Sequence, residues 1–299
     1  MSDQQTPEML RLSLQDLAIR VKICKIGGIE ETLGDALDAP SAKNIRRAID
    51  ALVDVRALTT AEELTPLGHQ LARLPLDVFL GKLILLGTVF KCLDMAITVA
   101  AILSSKSPFS APWGQRAQAD NARMAFRRAD SDLLTIYNAY LAWKRVCQAN
   151  SGLGKEFQFC RKNFLSQQTL ANIEDLKGQL LVSLADSGFL SLTEEERRSL
   201  TRMRFAQGRR RQQNFYEVPR RANINSDNDL VSSSVIAWSF YPKLLVRDTP
   251  GTKGLRNIGN NQNISLHPSS VNRGFLDIKW LSYYHIMQSK RYVFLSGPR

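Results

Sequence analysis

The spacing of apolar residues changes once along this 299-residue chain, and that change limits the fold more than any other feature. As far as about Leu192 the apolar positions recur three and four residues apart, the period of a helix face. Beyond Asp227 they fall in short runs with polar turns between them, the pattern of strands. A pattern written for one period cannot bury its apolar face at the other. The chain therefore reads as mainly α with a small β-barrel at its C-terminal end. Its length suits two or three compact units, and an apolar content of 44% is that of a globular chain.

The first segment, Ser13 to Lys25, places Leu14, Leu17, Ala18 and Val21 on one helix face. Ser41 caps a second helix whose stripe is Ile45, Ala48, Ile49, Leu52 and Val53. Two short extended pieces follow, Ala57–Thr59 and Glu63–Gly68, and a third helix, His69–Leu74, closes on Pro75. Helices followed by a small hairpin are the parts of a winged helix, although a small helical adaptor would show the same pattern. From Val78 to Leu192 the stripes Leu83, Ile84, Leu86, Phe90, Leu93 and Ile97, Ala100, Ala101, Leu103 predict a helical bundle. A loop interrupts it at Ser107-Pro108-Phe109 and Ala111-Pro112, Ser131 and Ser166 cap two later helices, and Gly188 stops the last. Glu194-Glu195-Glu196 begin an arginine-rich connector. Beyond it a short helix, Val231–Ser239, precedes strands at Lys243–Arg247, Asn263–Leu266, Trp280–Met287 and Arg291–Leu295.

The net charge of +12 is unevenly distributed. Residues 1–196 carry −1, residues 197–221 carry +8 and residues 222–299 carry +5. A polyanion partner for the last third follows as the first functional expectation. For the stretch Arg197, Arg198, Arg202, Arg204, Arg209, Arg210 and Arg211, phosphate neutralisation and a solvated linker both stand. The C-terminal strands add a second signal, because Lys243, Arg247, Lys253, Arg256 and Arg273 accompany Tyr241, Trp280, Tyr283, Tyr284 and Tyr292. Cations that follow a backbone, interleaved with aromatics on which bases stack, suit single-stranded nucleic acid on an oligonucleotide-binding (OB) barrel. Aromatics that fill the barrel core are the alternative reading.

Several chemistries find no support. Cys24, Cys92, Cys147 and Cys160 lie far apart and only three histidines occur, so no metal site is expected. Gly152-Leu153-Gly154-Lys155 lacks the four-residue spacing of a phosphate loop, and Glu156 stands where a Ser or Thr would hold Mg²⁺; a turn between helices is the better reading. Within the most apolar region, Val78–Ser105, the longest uncharged run, Met95–Ser105, is too short for a bilayer of roughly 30 Å. No membrane partner is expected, and the chain reads as cytoplasmic, with a nuclear location as the alternative.

The order of short motifs carries a resemblance. Pro7-Glu8-Met9-Leu10-Arg11-Leu12, Leu64-Thr65-Pro66-Leu67-Gly68, Leu74-Pro75-Leu76-Asp77, Cys92-Leu93-Asp94 and Ser107-Pro108-Phe109 are followed by Ser131-Asp132-Leu133-Leu134 and Asn163-Phe164-Leu165-Ser166. Tyr241-Pro242, His267-Pro268-Ser269-Ser270-Val271 and Trp280-Leu281-Ser282-Tyr283-Tyr284 complete the series. Together they resemble the region after the motor in DEAH-box (DExH) RNA helicases, with a flavour of the fungal relatives of the large multidomain cytoplasmic members.

The resemblance implies a remnant of the second RecA-like motor domain at 1–12, a winged helix at 13–77 and a helicase-associated ratchet-like domain at 78–192. It further implies an Arg-rich connector at 193–226 and an OB-fold at 227–299. That OB-fold is expected to be truncated, because the family pattern continues beyond Tyr292–Arg299 for another strand and helix. Such modules close an RNA channel while the motor pulls single-stranded RNA 3′ to 5′. ATP and Mg would belong to the motor domains, so no catalytic residue and no cofactor are assigned here. The implied partners are single-stranded RNA and those RecA-like domains, with protein activators or the ribosome as the alternative. RNA backbone contacts are assigned to Lys243 and Arg247 by charge, to Lys253 and Arg256 from the following loop, and to Ser269, Ser270 and Arg273 by hydrogen bonding. In the helical domain Asn163, Ser166 and Gln168 are assigned at a helix start, where amide groups and the dipole favour anions; capping alone is the other reading of Ser166.

Overall fold

The computed structural model describes residues 14–149, 154–206, 215–288 and 293–296. The expected motor remnant at 1–12, Gly152, Arg209 to Arg211 and Tyr292 lie outside the described residues. The chain divides into two compact units, residues 1–82 and 83–299.

In the first unit the helices are α1 (Leu14–Ile23), α2 (Ile29–Gly34), α3 (Ala42–Asp54) and α4 (Pro66–Leu71). Ala18, Ile29, Leu33, Ile45, Ile49 and Leu52 are buried between them. Ser41 caps α3 as the sequence predicts, accepting the Asn44 amide. The hairpin is present as an antiparallel bridge between Leu58 and Leu64. The helix expected at His69–Leu74 starts earlier, because Thr65 is its cap and Pro66 its first residue. The Thr65 hydroxyl donates to the Arg56 carbonyl at 2.6 Å and accepts the Gly68 amide at 3.0 Å. A side chain at Gly68 would bring its Cβ to 2.1 Å from the Ala57 carbonyl oxygen, so glycine alone lets α4 lie against the hairpin. Helix α5 (Val78–Val89) contains the division between the units.

The second unit is organised around α6 (Leu93–Leu103), in which every residue from Leu93 to Ile102 is buried. It packs on α8 (Asp132–Gln148) and α10 (Gln167–Asp186), with α7 (Arg116–Met124) and α9 (Lys155–Lys162) alongside α8. Ser131 and Ser166 cap α8 and α10, and Gly188 (φ +80°) follows the end of α10, all as expected. A polar cluster lies inside the helices: Lys177 Nζ is 2.6 Å from Asp94 Oδ1, and the Tyr137 hydroxyl donates to Asp94 Oδ2 at 2.8 Å. The Tyr140 hydroxyl donates to Glu174, which also accepts the Tyr216 amide. A lysine with no exposed surface is tolerable only with such partners. The Tyr216 ring lies over Gly178, where a Cβ would come within 2.3 Å of it.

Helices α11 (Glu194–Ala206) and α12 (Asp229–Phe240) lead to the sheet, and Asn228 caps α12. Its strands are β1 (Leu244–Val246), β2 (Leu255–Asn257), β3 (Asn263–Leu266), β4 (Trp280–Ser282), β5 (His285–Gln288) and β6 (Val293–Ser296). The order is β4-β1-β2-β3-β6-β5, antiparallel except for the parallel β3–β6 pair. Leu245, Leu255, Ile264 and Leu281 form its core.

Two expectations change. The strand predicted over Trp280–Met287 breaks at Tyr283-Tyr284, so that β4 pairs with β1 and β5 with β6. Asn257 Nδ2 donates to the Tyr283 hydroxyl at 3.0 Å, and the Tyr284 ring lies 5.3 Å from that of Phe240; these contacts hold the bend. Among the described residues the sheet is open, with β4 and β5 as its edges, rather than closed into the expected barrel.

Candidate nucleic-acid interface

The sequence-assigned residues separate into two environments. Arg247 is turned inward, 3% exposed, and its Nη1 donates to the Phe275 and Ile278 carbonyls at 3.1 and 2.6 Å. A guanidinium held there secures the 275–278 loop. Arg256 is committed to Asp248 through two bonds of 2.7 Å, with Asn261 as a further acceptor. Lys243 Nζ donates to the Tyr284 carbonyl at 3.0 Å and lies 5.2 Å from that ring. Lys253 and Arg273 are exposed, the latter reaching the Pro268 carbonyl at 3.5 Å. Among the aromatics, Tyr241 and Trp280 are about half exposed, whereas Tyr283 is occupied by Asn257. Arg197, Arg198 and Arg202 project from α11 into solvent.

Ser269 and Ser270 lie where the sheet meets the helices. The Ser270 hydroxyl donates to Asp132 Oδ2 at 2.7 Å, and the Val271 amide to Asp132 Oδ1 at 2.8 Å. Ser269 receives Arg123 Nη1 on both its carbonyl and its hydroxyl. His267 Nδ1 is 2.7 Å from the same hydroxyl. The loop therefore docks on the start of α8 and on α7, and a cleft of about 470 Å³ opens between them. Arg123, Asp132, His267, Ser269, Tyr284 and Met287 are among its walls. A second cleft of about 490 Å³ shares Arg123, His267 and Ser269 and runs along the 109–116 loop. Burial, then the cations of Arg116 and Arg123, hold the His267 imidazolium below its ordinary range. Burial pushes the Asp132 carboxyl up, against the Val271 amide, the Ser270 hydroxyl and Arg123.

The helical assignments join this region through the backbone. The Ser166 amide donates to the Pro108 carbonyl at 2.8 Å, and the Ser110 amide to the Phe164 carbonyl at 2.9 Å. The Phe109 ring in between carries the Arg123 guanidinium 4.5 Å from its centre. Ser166 serves as the α10 cap, Asn163 Nδ2 donates to the Phe159 carbonyl, and Gln168 is exposed and bonded to Asn172. Sequence reasoning missed Arg123 and its neighbours. Arg127 stacks on Phe275 at 3.8 Å, and Arg128 pairs with Asp229 at 2.7 Å. The triple Arg123, Arg127, Arg128 at helical spacing was the available signal, hidden by the near-neutral total of the first 196 residues.

A helical unit with a hairpin, a helical bundle and a strand-rich module follow one another along the chain. Comparison with known families identifies each of them. Residues 48–76 match the winged-helix part of the helicase associated domain (HA2), residues 77–136 its ratchet-like part, and residues 232–297 the oligonucleotide/oligosaccharide-binding (OB)-fold. The chain is 42% identical over 192 residues to the ATP-dependent RNA helicase DHX29 of Homo sapiens, covering 64% of this chain and 14% of that protein. It is 35% identical over 296 residues to the ATP-dependent DNA/RNA helicase DHX36 of Mus musculus, covering 97% and 27%. It is 36% identical over 253 residues to the putative ATP-dependent RNA helicase DHX57 of Mus musculus, covering 84% and 18%. The chain belongs to the DEAH-box helicase family and carries its winged-helix, ratchet-like and OB-fold modules. It spans about a quarter or less of the length of these relatives.

Among the described residues no helix is long and apolar enough to cross a membrane. Gly154 (φ +98°) leads into an eight-residue helix, in which Glu156 follows Lys155.

Proposed function

We propose that this chain is the RNA-gripping accessory part of a DEAH-box helicase, guiding single-stranded RNA while separate RecA-like domains use ATP and Mg. The observation that carries the reading is the cleft between the ratchet-like helices and the OB sheet, where Arg123, His267 and Ser269 converge. The Arg123 guanidinium and the Ser269 hydroxyl at this wall are proposed to contact sugar and phosphate, which confers strength without sequence preference. Lys253 and Arg273 are proposed to extend the contact over the OB surface, and Ser270 to hold the loop in place. Asn163, Ser166 and Gln168 are proposed to border the same path through the 108–110 segment. The segments 13–77, 78–192, 193–226 and 227–299 are proposed as its functional divisions.

The test is binding of the purified chain to short single-stranded RNA across a salt series. Affinity should fall steeply with salt and vary little between RNA sequences. Absence of binding at low salt would refute the proposal.

A second reading, docking of a protein activator or ribosomal partner, has one observation in its favour. Phe90 and Trp238 are exposed with ring centres 6.5 Å apart, beside exposed Val89. Salt-insensitive protein capture without RNA affinity would favour it.

A further inference from the structure

The segment Pro112-Trp113-Gly114 forms a turn at the rim of the second cleft, with the Gln115 amide donating to the Pro112 carbonyl at 3.0 Å and Gly114 at φ +78°. Trp113 is fully exposed there, at 101%. Phe109, Arg116 and Arg123 line the same cleft, as does the Asp120 carboxylate. Lys106 is exposed at the start of the loop. A tryptophan presented on a turn exposes a large apolar face that nothing in its own unit covers. Its neighbours supply two guanidinium groups near the His267 imidazole, whose protonation they oppose. Flat aromatic surface beside fixed positive charge is complementary to a nucleotide: a base has a π-face to stack, and its phosphate seeks the cation.

We infer that Trp113 is a stacking platform for an unpaired nucleobase, with Arg116 and Lys106 meeting the adjoining phosphates. The inference rests on the proposed RNA path and adds to it a contact with a base. The strand leaving the 470 Å³ cleft past Ser269 and Arg123 enters the neighbouring cleft, and Trp113 stands at its rim. Stacking is tolerant of sequence, since every base offers a face, so this site holds a position on the strand without reading it.

The experiment uses the full chain and fluorescein-labelled oligouridine, with fluorescence anisotropy as the readout. Trp113→Ala should bind about ten-fold more weakly or worse, while Trp113→Phe stays close to the parent. The salt slope should be unchanged in Trp113→Ala and lowered by about one ion in Arg116→Ala. On an abasic strand of equal length the parent and Trp113→Ala should bind alike. Equal affinity of Trp113→Ala and the parent for oligouridine would overturn the inference while leaving the RNA path standing. An equal loss on the abasic strand would also overturn it. If the parent binds no RNA, the inference and the proposed function fall together. Trp113 makes no core contact, so an unchanged circular dichroism spectrum is expected for both variants.

Discussion

One nitrogen of the Arg123 guanidinium lies 3.2 Å from both the carbonyl and the hydroxyl oxygen of Ser269. The contact joins α7 to the loop after β3, and the Phe109 ring supports the guanidinium from one side. The flat guanidinium face lies on the ring while its edge donates to Ser269, an arrangement that a compact, strongly hydrated ammonium reproduces less well. Arg123→Ala should cost about 1–3 kcal/mol in urea denaturation, and Arg123→Lys should recover less than half of that loss. Full rescue by lysine would show that charge alone matters here.

Arg247 and Arg273 should behave in opposite ways. Arg247→Met leaves the Phe275 and Ile278 carbonyls without their donor, and should destabilise the sheet by about 3 kcal/mol. Arg273→Ala, like Lys253→Ala, should leave the denaturation midpoint unchanged and weaken RNA binding, lowering the salt slope by about one. Parallel urea and anisotropy titrations distinguish the two kinds of residue.

The buried Lys177–Asp94 pair offers a third check. Lys177→Met strands a carboxylate with Tyr137 as its remaining neutral donor, and should cost about 3–5 kcal/mol. Adding Asp94→Leu removes the stranded charge, so the double variant should be more stable than the sum of the single losses predicts. Strict additivity in chemical denaturation would mean that the two groups do not interact.

Asp16 gives the first unit a pH dependence of known sign. Burial, then the neighbouring Asp77 carboxylate, raise its pKa from 3.8 to about 6. The folded state then holds this proton more tightly than the unfolded chain, so stability falls as pH rises between those values. Asp16 is partly exposed, and solvent screening reduces the effect to about 1 kcal/mol. Asp16→Asn should therefore stabilise the first unit by about that amount near pH 7 and by nothing below about pH 4. An equal gain at both pH values would point to packing instead.

The elements with strong local signals were legible in the sequence. Ser41, Ser131 and Ser166 announced their helices because a cap needs only its own hydroxyl and the next turn. The strand Asn263–Leu266 followed from alternation. Helix α2 and strand β2 did not, being six and three residues long with little room for a period. The split at Tyr283-Tyr284 depends on Asn257 and Phe240, contacts that lie far away in sequence. The surroundings of the cations were not legible. Charge counted along the chain pointed to Arg247 and Arg256, which folding occupies with carbonyls and with Asp248. The cations that line the clefts, Arg116 and Arg123, come from a stretch whose acidic residues concealed them.

Photocrosslinking of a thiouridine-containing single-stranded RNA to the chain, with the attachment sites mapped by mass spectrometry, tests the RNA path most directly. The cleft between the ratchet-like helices and the OB sheet should capture the strand, giving adducts in residues 105–123 and 267–287. Adducts confined to α11 or to the first unit, with none in those two stretches, would contradict it.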